Sequence, residues 1–379
     1  MKLESFKAGH YEKGVAYKYF VPTPIDAEWT WETASLNALL EKAAVKLGEL
    51  NSYARLVPSI GLFIQLHVTK EAVVSSRIEG TQTNLGEALL PKAEIQPERR
   101  DDWQEVNNYI RAMNEAITEL KTLPISSRLL RATHLTLLSN GRGEHKQPGE
   151  FRRSQNWIGG RSLADAAFIP PHDKLVPELM GDLENFLHND DINVPALIRI
   201  GMAHYQFETI HPFLDGNGRI GRLLITLYLV SEGILDKPLL YLSAYFEQNK
   251  NLYYDNLMVV RQKSDLVQWL KYFLVGIEQT AAQAVTALSK MLDLKLEMEQ
   301  QIHDTFGRRA PSALRLLPVL FQTPALTVEA AATATGLSYR VTNEVMAQLQ
   351  TAGYLQEITG QSRNRIFVFE PYLKAFDNV

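Results

Sequence analysis

Apolar residues recur three and four positions apart along most of the chain, which is the period of an amphipathic helix. The stretch Met1–Pro24 lacks this spacing and is expected to be irregular, with aromatic side chains that pack along another domain. Phe151–Ile158 and Ala166–Ile169 alternate as strands do around a Gly159–Gly160 turn, so a small β-hairpin is expected there. The fold class is therefore mainly α. The predicted helices cover Thr33 to about Leu50, about Leu62 to Ile78, Arg99–Leu120, Ser126–Leu138, Leu175–Leu187, Pro195–Ile210, Gly218–Ser231, Asn251–Val260 and Leu266–Glu299.

The pattern changes after residue 306. Three short helical segments, Ser312–Phe321, Val328–Thr335 and Ser338–Ala352, precede two strand-like ones, Tyr354–Ile358 and Arg365–Phe369. Three helices followed by a hairpin are typical of a winged helix-turn-helix. The sequence thus predicts three parts: an N-terminal helical region over 1–98, a helical core over 99–306 and a winged helix over 307–379.

Composition narrows the class of protein. The chain has 379 residues, 45% hydrophobic and 22% charged, with a formal net charge of −4, so nothing global favours nucleic acid or an anionic membrane. Cysteine is absent, which excludes disulfides, cysteine-ligated metals and a cysteine nucleophile. Met1–Gly14 lacks the apolar core of a secretory signal, and the longest apolar run, Leu223–Val230, is too short to span a bilayer. We therefore expect a soluble, cytoplasmic protein without a membrane partner.

The segment from residue 211 to 222, His-Pro-Phe-Leu-Asp-Gly-Asn-Gly-Arg-Ile-Gly-Arg, lies between two predicted helices. Gly216, Asn217 and Gly218 can turn successive backbone N–H groups inward, and the start of the next helix adds more donors and a partial positive charge. Arg219 and Arg222 stand three apart and add two cations suited to phosphate oxygens. The spacing predicts a polyphosphate-binding loop.

Two further residues of this segment suit phosphate chemistry. Asp215 offers a hard oxygen ligand that holds Mg²⁺ against bridging phosphates. His211, four residues earlier, can accept a proton near neutral pH and is a candidate general base for a hydroxyl nucleophile. Alone, each residue is more often a turn residue or a structural histidine. Their combination within twelve residues favours phosphate-centred transfer.

The segment resembles the Fic motif, His-x-Phe-x-(Asp/Glu)-Gly-Asn-Gly-Arg-x-x-Arg, at every fixed position. The resemblance implies an enzyme that transfers AMP from ATP to a hydroxyl of a protein target, the enzyme itself included, with release of pyrophosphate. It implies that His211 deprotonates the hydroxyl and that Asp215 binds Mg²⁺. Related Doc-type kinases carry Lys where this chain has Gly218, which favours AMP transfer over phosphorylation. The residues implied in ATP binding are His211, Gly216, Asn217, Gly218, Arg219, Ile220, Gly221, Arg222 and Asn249.

A second motif resembles the inhibitory pattern of the same family, (Ser/Thr)-x-x-x-Glu-(Gly/Asn), at Ser75, Glu79 and Gly80. Ser75 and Glu79 are four apart, hence on one face of a helix, from which Glu79 can reach an arginine of the phosphate loop. By resemblance that partner is Arg222, which otherwise grips the γ-phosphate. Such a pair would hold ATP unproductively and suppress turnover.

The resemblance covers roughly Leu36 to Val275. It implies that the hairpin at 151–171 is a flap that aligns the target beside the site by edge-strand pairing. It places Tyr241–Ser243 and Gln248–Asn249 near the adenine, and it implies a homodimer. His204, seven residues before His211, is expected to be a packed core residue rather than a ligand.

Two other functions stay open. Glu79 could orient a water that removes AMP from a modified protein, as in some Fic proteins. Alternatively, the chain is a DNA-binding regulator whose core senses nucleotide. Its DNA contacts would come from the third helix and the wing, at Ser338, Tyr339, Arg340, Asn343, Arg363 and Arg365.

Overall fold

The computed structural model describes residues 1–57, 60–90, 92–361 and 365–377. By packing, the chain divides into two compact units, Met1–Gly48 with His67–Thr280 and Glu49–Leu66 with Ala281–Val379. The predicted three-part division stays a prediction. The helices are α1 (Ala34–Leu56), α2 (Ile60–Ile78), α3 (Leu85–Ala88), α4 (Arg100–Glu119), α5 (Ser127–Leu138), α6 (Val176–His188), α7 (Ala196–Ile210), α8 (Asn217–Ser231), α9 (Ser243–Gln248), α10 (Lys250–Lys263), α11 (Leu266–Thr305), α12 (Ala310–Gln322), α13 (Val328–Thr335), α14 (Tyr339–Thr351) and α15 (Glu370–Asp377).

The predicted fold class is confirmed, because the described chain is mainly helical with small antiparallel sheets. Every helix expected from apolar spacing is present within a few residues of its predicted ends. The largest differences are that α1 and α11 continue to Leu56 and Thr305 and that the apolar spacing predicts none of α3, α9 and α15. Among the described residues, no helix has both the length and the apolar content to cross a bilayer.

Helices α7 and α8 form the centre of the first unit. Residues 197–210 of α7 are all buried, as are most of α8, and α7 packs against both α6 and α8. Gly201 lets α11 approach α7 closely, since a Cβ there would lie 2.9 Å from the Phe273 ring, and Trp269 Nε1 donates to the Gly201 carbonyl at 2.7 Å. The segment between α7 and α8 is therefore connected at both ends to buried, closely packed helices.

The expectation of an irregular N-terminus is wrong. Strands β1 (Gly9–Lys13) and β2 (Lys18–Pro22) form an antiparallel hairpin within the first unit. The Tyr19 hydroxyl donates to Glu12 across the strands at 2.7 Å, and Phe20 is buried against Phe168. Cross-strand pairs of this kind stabilise a short hairpin that lacks a helical period.

The predicted hairpin at 151–171 is much smaller than expected. A single antiparallel bridge joins Ile158 and Phe168, and no regular strand is assigned within 151–169. Side chains hold its first arm instead, because Arg152 and Asn156 bond to the backbone of the neighbouring loop. On the second arm, the Ile169 carbonyl accepts the Phe20 N–H at 2.9 Å, so one backbone hydrogen bond joins this arm to the N-terminal hairpin.

The second unit contains the elements predicted after residue 306, together with a third strand. Strands β3 (Ala325–Thr327), β4 (Leu355–Glu357) and β5 (Ile366–Phe369) form an antiparallel sheet in the order β3-β5-β4. Helices α12, α13 and α14 pack on one another beside it. The assignment of this unit as a winged helix-turn-helix stays a prediction.

Candidate active site

The sharp end of α7 directs His211 toward a cavity. His211 caps the helix with left-handed backbone angles, φ 51° and ψ 61°, which cost a non-glycine residue about 1–3 kcal/mol. Two side chains hold this turn, since Arg152 Nε and Asn156 Nδ2 donate to the His211 carbonyl at 3.0 and 3.2 Å. Backbone strain retained by surrounding contacts is common at functional sites.

The loop from His211 to Gly216 is tied to the start of α8 by one amide. Asn217 Oδ1 accepts the Phe213 N–H and Asn217 Nδ2 donates to the Phe213 carbonyl, both at 2.8 Å. Gly216 adopts φ 75°, a conformation that a side chain would strain. The predicted anion-binding loop is therefore rigid, and the Asn217 side chain builds it rather than facing a ligand.

His134, on α5, supports the same loop from below. It is fully buried, its ring lies 3.8 Å from the Phe213 ring at 9°, and its nitrogens face the Gly149 N–H and the Asp215 carbonyl. Burial lowers the pKa of His134 to about 4, so the ring is neutral at physiological pH. Sequence reasoning missed this residue, because a histidine inside an amphipathic helix carries no local signal.

Arg222 is held by the predicted inhibitory segment. Its Nε donates to Ser75 Oγ at 2.8 Å, and its Nη2 donates to the Ser75 carbonyl at 2.9 Å and to Glu79 Oε1 at 2.8 Å. Burial alone would raise the pKa of Glu79, but the charge and hydrogen bond of Arg222 outweigh it and hold the pKa below its usual range. The contact expected between Glu79 and Arg222 is thus present, and Gly80 ends the segment with φ 109°.

The Glu79 carboxylate also lies directly over Gly218. A Cβ built on Gly218 would collide with Glu79 Oε1 and come within 2.8 Å of Arg222 Nη1. Gly218 is in the first turn of α8, where free N–H groups favour an anion. The carboxylate therefore occupies the approach that a phosphate oxygen would use.

Arg219 is less constrained than Arg222. Its side chain is 4% exposed, and it has only long contacts, 3.5 Å to Glu105 and 3.6 Å to Asp215, while its Nε has no partner in the described chain. A guanidinium whose donors are not fully used can donate hydrogen bonds to phosphate oxygens. Arg219 thus keeps a donor without a partner in the described chain, whereas Arg222 is bonded to the inhibitory segment.

A cavity of about 190 Å³ brings His211 together with the inhibitory contact. Burial lowers the pKa of His211 to about 3, so its imidazole is neutral, and its Nδ1 has no hydrogen-bond partner among the described residues. A neutral imidazole has the lone pair that a general base needs, but a pKa this low also makes His211 a weak base. The lining residues are Glu79, Trp157, Ile158, Glu208, His211, Gly218, Arg222, Tyr253, Tyr254, Leu257 and Arg261.

Two charged residues of this cavity escaped sequence analysis. Glu208 is 6% exposed, its Oε1 has no partner in the described chain, and burial raises its pKa to about 7. Arg261 donates to the Glu208 carbonyl at 2.9 Å and lies 4.0 Å from the Phe168 ring. Glu208 shows in the sequence only as a charge within the apolar helix α7, and Arg261 lies among the polar residues at the end of α10 and gives no signal.

The other predicted ATP-binding residues lie apart from the cavity wall. Ile220 is buried in the core, and Gly221 faces Glu208, with which a Cβ would collide. Asn249 caps α10 and donates to the Tyr245 carbonyl at 2.9 Å, so its place near the nucleotide stays a prediction. His204 is fully buried between the Gly221 carbonyl and Tyr253, which confirms it as a packed core residue.

Asp215 suits a metal held jointly with a ligand. Its side chain is 45% exposed, and Oδ1 accepts the Gly216 N–H at 2.6 Å. In the described part of the chain, no three histidine or acidic side chains converge on a metal position. One carboxylate completed by phosphate oxygens and water matches the way Mg²⁺ is usually bound.

Three of the residues proposed to contact DNA bond to side chains nearby, and a fourth caps its own helix. Arg365 Nη2 donates to Asn343 at 2.7 Å, Arg340 pairs with Glu344 at 3.1 Å, and Ser338 caps α14. Tyr339 is exposed. Arg363 lies outside the described residues. DNA binding by this unit stays a prediction.

The fold and the site together define a helical protein in which a glycine-rich loop and a helix N-terminus lie beside a half-buried histidine. The family described as "Fic/DOC family N-terminal" matches residues 37–118, and the "Fic/DOC family" matches residues 124–229. This part of the chain therefore belongs to the Fic/DOC family, which confirms the resemblance drawn from its motif.

Relatives and solved structures agree with this assignment. Protein adenylyltransferase Fic of Culex quinquefasciatus is 28% identical over 206 residues, 54% of this chain and 36% of that protein. A probable protein adenylyltransferase of Aquifex aeolicus is 38% identical over 89 residues, 24% of this chain and 26% of that protein. The chain thus spans about a third of the curated relatives it first matches.

A Fic family protein from Desulfovibrio desulfuricans superimposes with a TM-score of 0.55 at 21% identity, over 89% of this chain and 96% of that one. A Fic domain containing signaling protein from Bacteroides thetaiotaomicron gives 0.51 at 17%, over 68% and 97%. At these identities the likeness shows the fold alone.

Proposed function

We propose that this chain is a protein adenylyltransferase that transfers AMP from ATP to a hydroxyl of a protein target and that Glu79 restrains it. The observation that carries the proposal is the shared cavity, in which His211, the first turn of α8 and Arg222 converge. The names of the relatives support the reaction class.

The residues have distinct parts in this reaction. The α8 N-terminus and Arg219 bind the phosphates, because they offer unused donors and positive charge. The neutral His211 accepts the hydroxyl proton as the oxygen bonds to the α-phosphorus, and the bond to the bridging oxygen breaks to release pyrophosphate. Asp215 would hold a Mg²⁺ ion, which neutralises phosphate charge when bound.

Glu79 opposes this reaction in two ways that the geometry supports. It pairs with Arg222 at 2.8 Å, which withdraws one phosphate-binding cation, and it fills the space over Gly218. Positioning contributes several kcal/mol in phosphoryl chemistry, so a displaced phosphate would slow the transfer strongly.

The test is incubation of the purified full chain with ATP labelled in its α-phosphate and with Mg²⁺. We expect label on the protein itself or on an added target, more in Glu79→Gly and none in Glu79→Gly with His211→Ala. Glu87→Gln is a matched control, because it breaks a 2.7 Å ion pair with Arg99 outside the cavity. Absence of label with Glu79→Gly would refute the proposal.

Removal of AMP is a second candidate, because Glu79 and His211 line the same cavity. The Glu79 carboxylate would orient a water molecule in this cavity for attack on the AMP-modified residue. Release of AMP from a modified protein that is lost in Glu79→Gln would establish this activity. AMP release that persists in that variant would exclude it.

ATP and a hydroxyl-bearing protein are the partners that this function requires. A homodimer, which the resemblance implied, is tested by sedimentation of the full chain. DNA binding is tested by a salt-dependent gel shift that Arg365→Ala weakens.

A further inference from the structure

The backbone carbonyl of Asp215, and not only its carboxylate, has a specific partner. His134 Nε2 lies 3.0 Å from this carbonyl, and the Gly149 N–H donates to His134 Nδ1 at 2.9 Å. The ring is fully buried and stacks on Phe213 at 3.8 Å. Three contacts therefore fix the imidazole beside the loop that carries Asp215.

These partners determine which nitrogen of His134 carries the proton. A backbone N–H can only donate, so Nδ1 must be unprotonated. A carbonyl oxygen can only accept, so Nε2 must carry hydrogen and donate to Asp215. Only the neutral Nε2–H form satisfies both, and no polar atom of the ring is left over for another ligand.

The hydrogen bond orients Asp215. Its carbonyl is drawn inward to a fully buried ring, while its side chain remains 45% exposed. Oδ1 is fixed in turn by the Gly216 N–H at 2.6 Å. With both ends of the residue held, the carboxylate keeps one orientation, with Oδ1 3.6 Å from Nη2 of Arg219.

We propose that His134 is a positioning residue that acts through the Asp215 carbonyl to aim the carboxylate at a nucleotide-bound Mg²⁺ ion. The inference rests on the proposed function, which assigns that ion to Asp215. Partners that orient a ligating side chain in this way typically contribute about 10–100-fold to metal affinity.

Two substitutions separate the hydrogen bonds of His134. In His134→Gln the amide reaches the position of Nε2 and can donate to Asp215, whereas in His134→Asn it reaches the position of Nδ1 and can accept only from Gly149. His134→Phe keeps the stack on Phe213 and removes both bonds. All are made in the full chain carrying Glu79→Gly, so that the inhibitory contact does not mask nucleotide binding.

The measurement is the dissociation constant of ATP by calorimetry, with Mg²⁺ and with EDTA. The ratio of the two constants is the metal-dependent gain. We expect His134→Gln to keep most of this gain and His134→Asn and His134→Phe to lose about 10–100-fold of it. Binding of ATP in EDTA should stay within a few-fold in all three, which also shows that each variant is folded.

A merely structural role would give another pattern. It would weaken ATP binding equally with and without Mg²⁺, or affect His134→Gln as much as His134→Asn, and either result overturns the inference. His188→Gln, at a histidine on α6 that bonds the Ile125 carbonyl, is the control for loss of a structural histidine and should leave the gain unchanged.

The same data separate this inference from the proposed function. If the Glu79→Gly parent binds ATP with a gain from Mg²⁺ that Asp215→Asn abolishes but His134→Asn does not, only the role of His134 is refuted. If the parent shows no gain from Mg²⁺, both fail. If unfolding prevents measurement of His134→Phe, the Gln and Asn variants still decide.

Discussion

Substitution of Glu79 should raise activity in an order set by charge. Glu79→Gly removes the ion pair with Arg222, whereas Glu79→Gln keeps a neutral acceptor of the same shape. A hydrogen bond to a charged group contributes about 1.5–3 kcal/mol, against about 0.5–1.5 kcal/mol for a neutral one. The lower end applies here, because the Glu79 side chain is 36% exposed while that of Arg222 is 2% exposed.

These magnitudes give a graded expectation. A loss of about 1.5–2 kcal/mol in Glu79→Gly corresponds to about 10–30-fold easier release of Arg222, since about 1.4 kcal/mol is a factor of ten. Glu79→Gln should lose about half of that free energy and gain about 3–5-fold. The assay is the initial rate of AMP incorporation at subsaturating ATP, with Glu87→Gln as the control of unchanged rate.

ADP binding supplies an internal control. By family resemblance Arg222 grips the γ-phosphate, so ADP affinity should change less than ATP affinity in both variants. Equal activity of Glu79→Gln and Glu79→Gly would mean that the carboxylate acts by charge alone. A Glu79→Gly protein no faster than wild type would refute the role of this contact altogether.

Three other perturbations follow from contacts in the same unit. Glu208→Gln should stabilise the protein at neutral pH. The Glu208 carboxyl has a pKa of 4.5 in the unfolded chain and of about 7 in the folded protein, so the free energy of unfolding of the wild type falls as pH rises between these values. The fall is about 3 kcal/mol, since one pKa unit corresponds to about 1.4 kcal/mol. The difference in the free energy of unfolding should vanish near pH 4. Ser75→Ala leaves the buried Arg222 Nε without its 2.8 Å acceptor and should destabilise by about 1–3 kcal/mol in thermal unfolding, whereas Ser75→Thr should not. Asn217→Ala removes two hydrogen bonds to the Phe213 backbone and should lower the free energy of unfolding by about 1–3 kcal/mol. It should also weaken ATP binding, as measured by calorimetry. Unchanged binding would contradict the supporting role of this amide.

Helices and local chemistry could be predicted from the sequence because each depends on neighbouring residues. The spacing of apolar residues predicts α7 and α8, and the residues between these helices predict an anion-binding site. The pair of Ser75 and Glu79 was visible because four residues make one helical face. Its attachment to Arg222, 143 residues away, needed the family resemblance, since spacing alone names no distant partner.

The parts that could not be predicted depend on long-range packing. The β1–β2 hairpin has no helical period. It is stabilised by the packing of Phe20 against Phe168, a contact between segments far apart in the sequence. His134 and Glu208 lie inside helices whose apolar pattern they interrupt, and nothing nearby in the sequence shows that one meets Asp215 and the other a cavity. The hairpin at 151–171 is smaller than its alternating pattern predicts, because Arg152 and Asn156 provide hydrogen bonds there in place of strand pairing.

The unequal states of the two arginines indicate what kind of restraint Glu79 imposes. Arg219 keeps unused donors, the first turn of α8 is already formed, and His211 is already neutral, so most of the site is assembled while Glu79 is in place. If Glu79 acted by preventing the loop from folding, these groups would be disordered or would form hydrogen bonds with one another. Because the Glu79 side chain, within the described part of the chain, pairs with Arg222 and covers Gly218, its removal should change one ion pair and no helix. A shift of the end of α2 would also break the two bonds from Arg222 to Ser75, so the three contacts together set the strength of the proposed restraint.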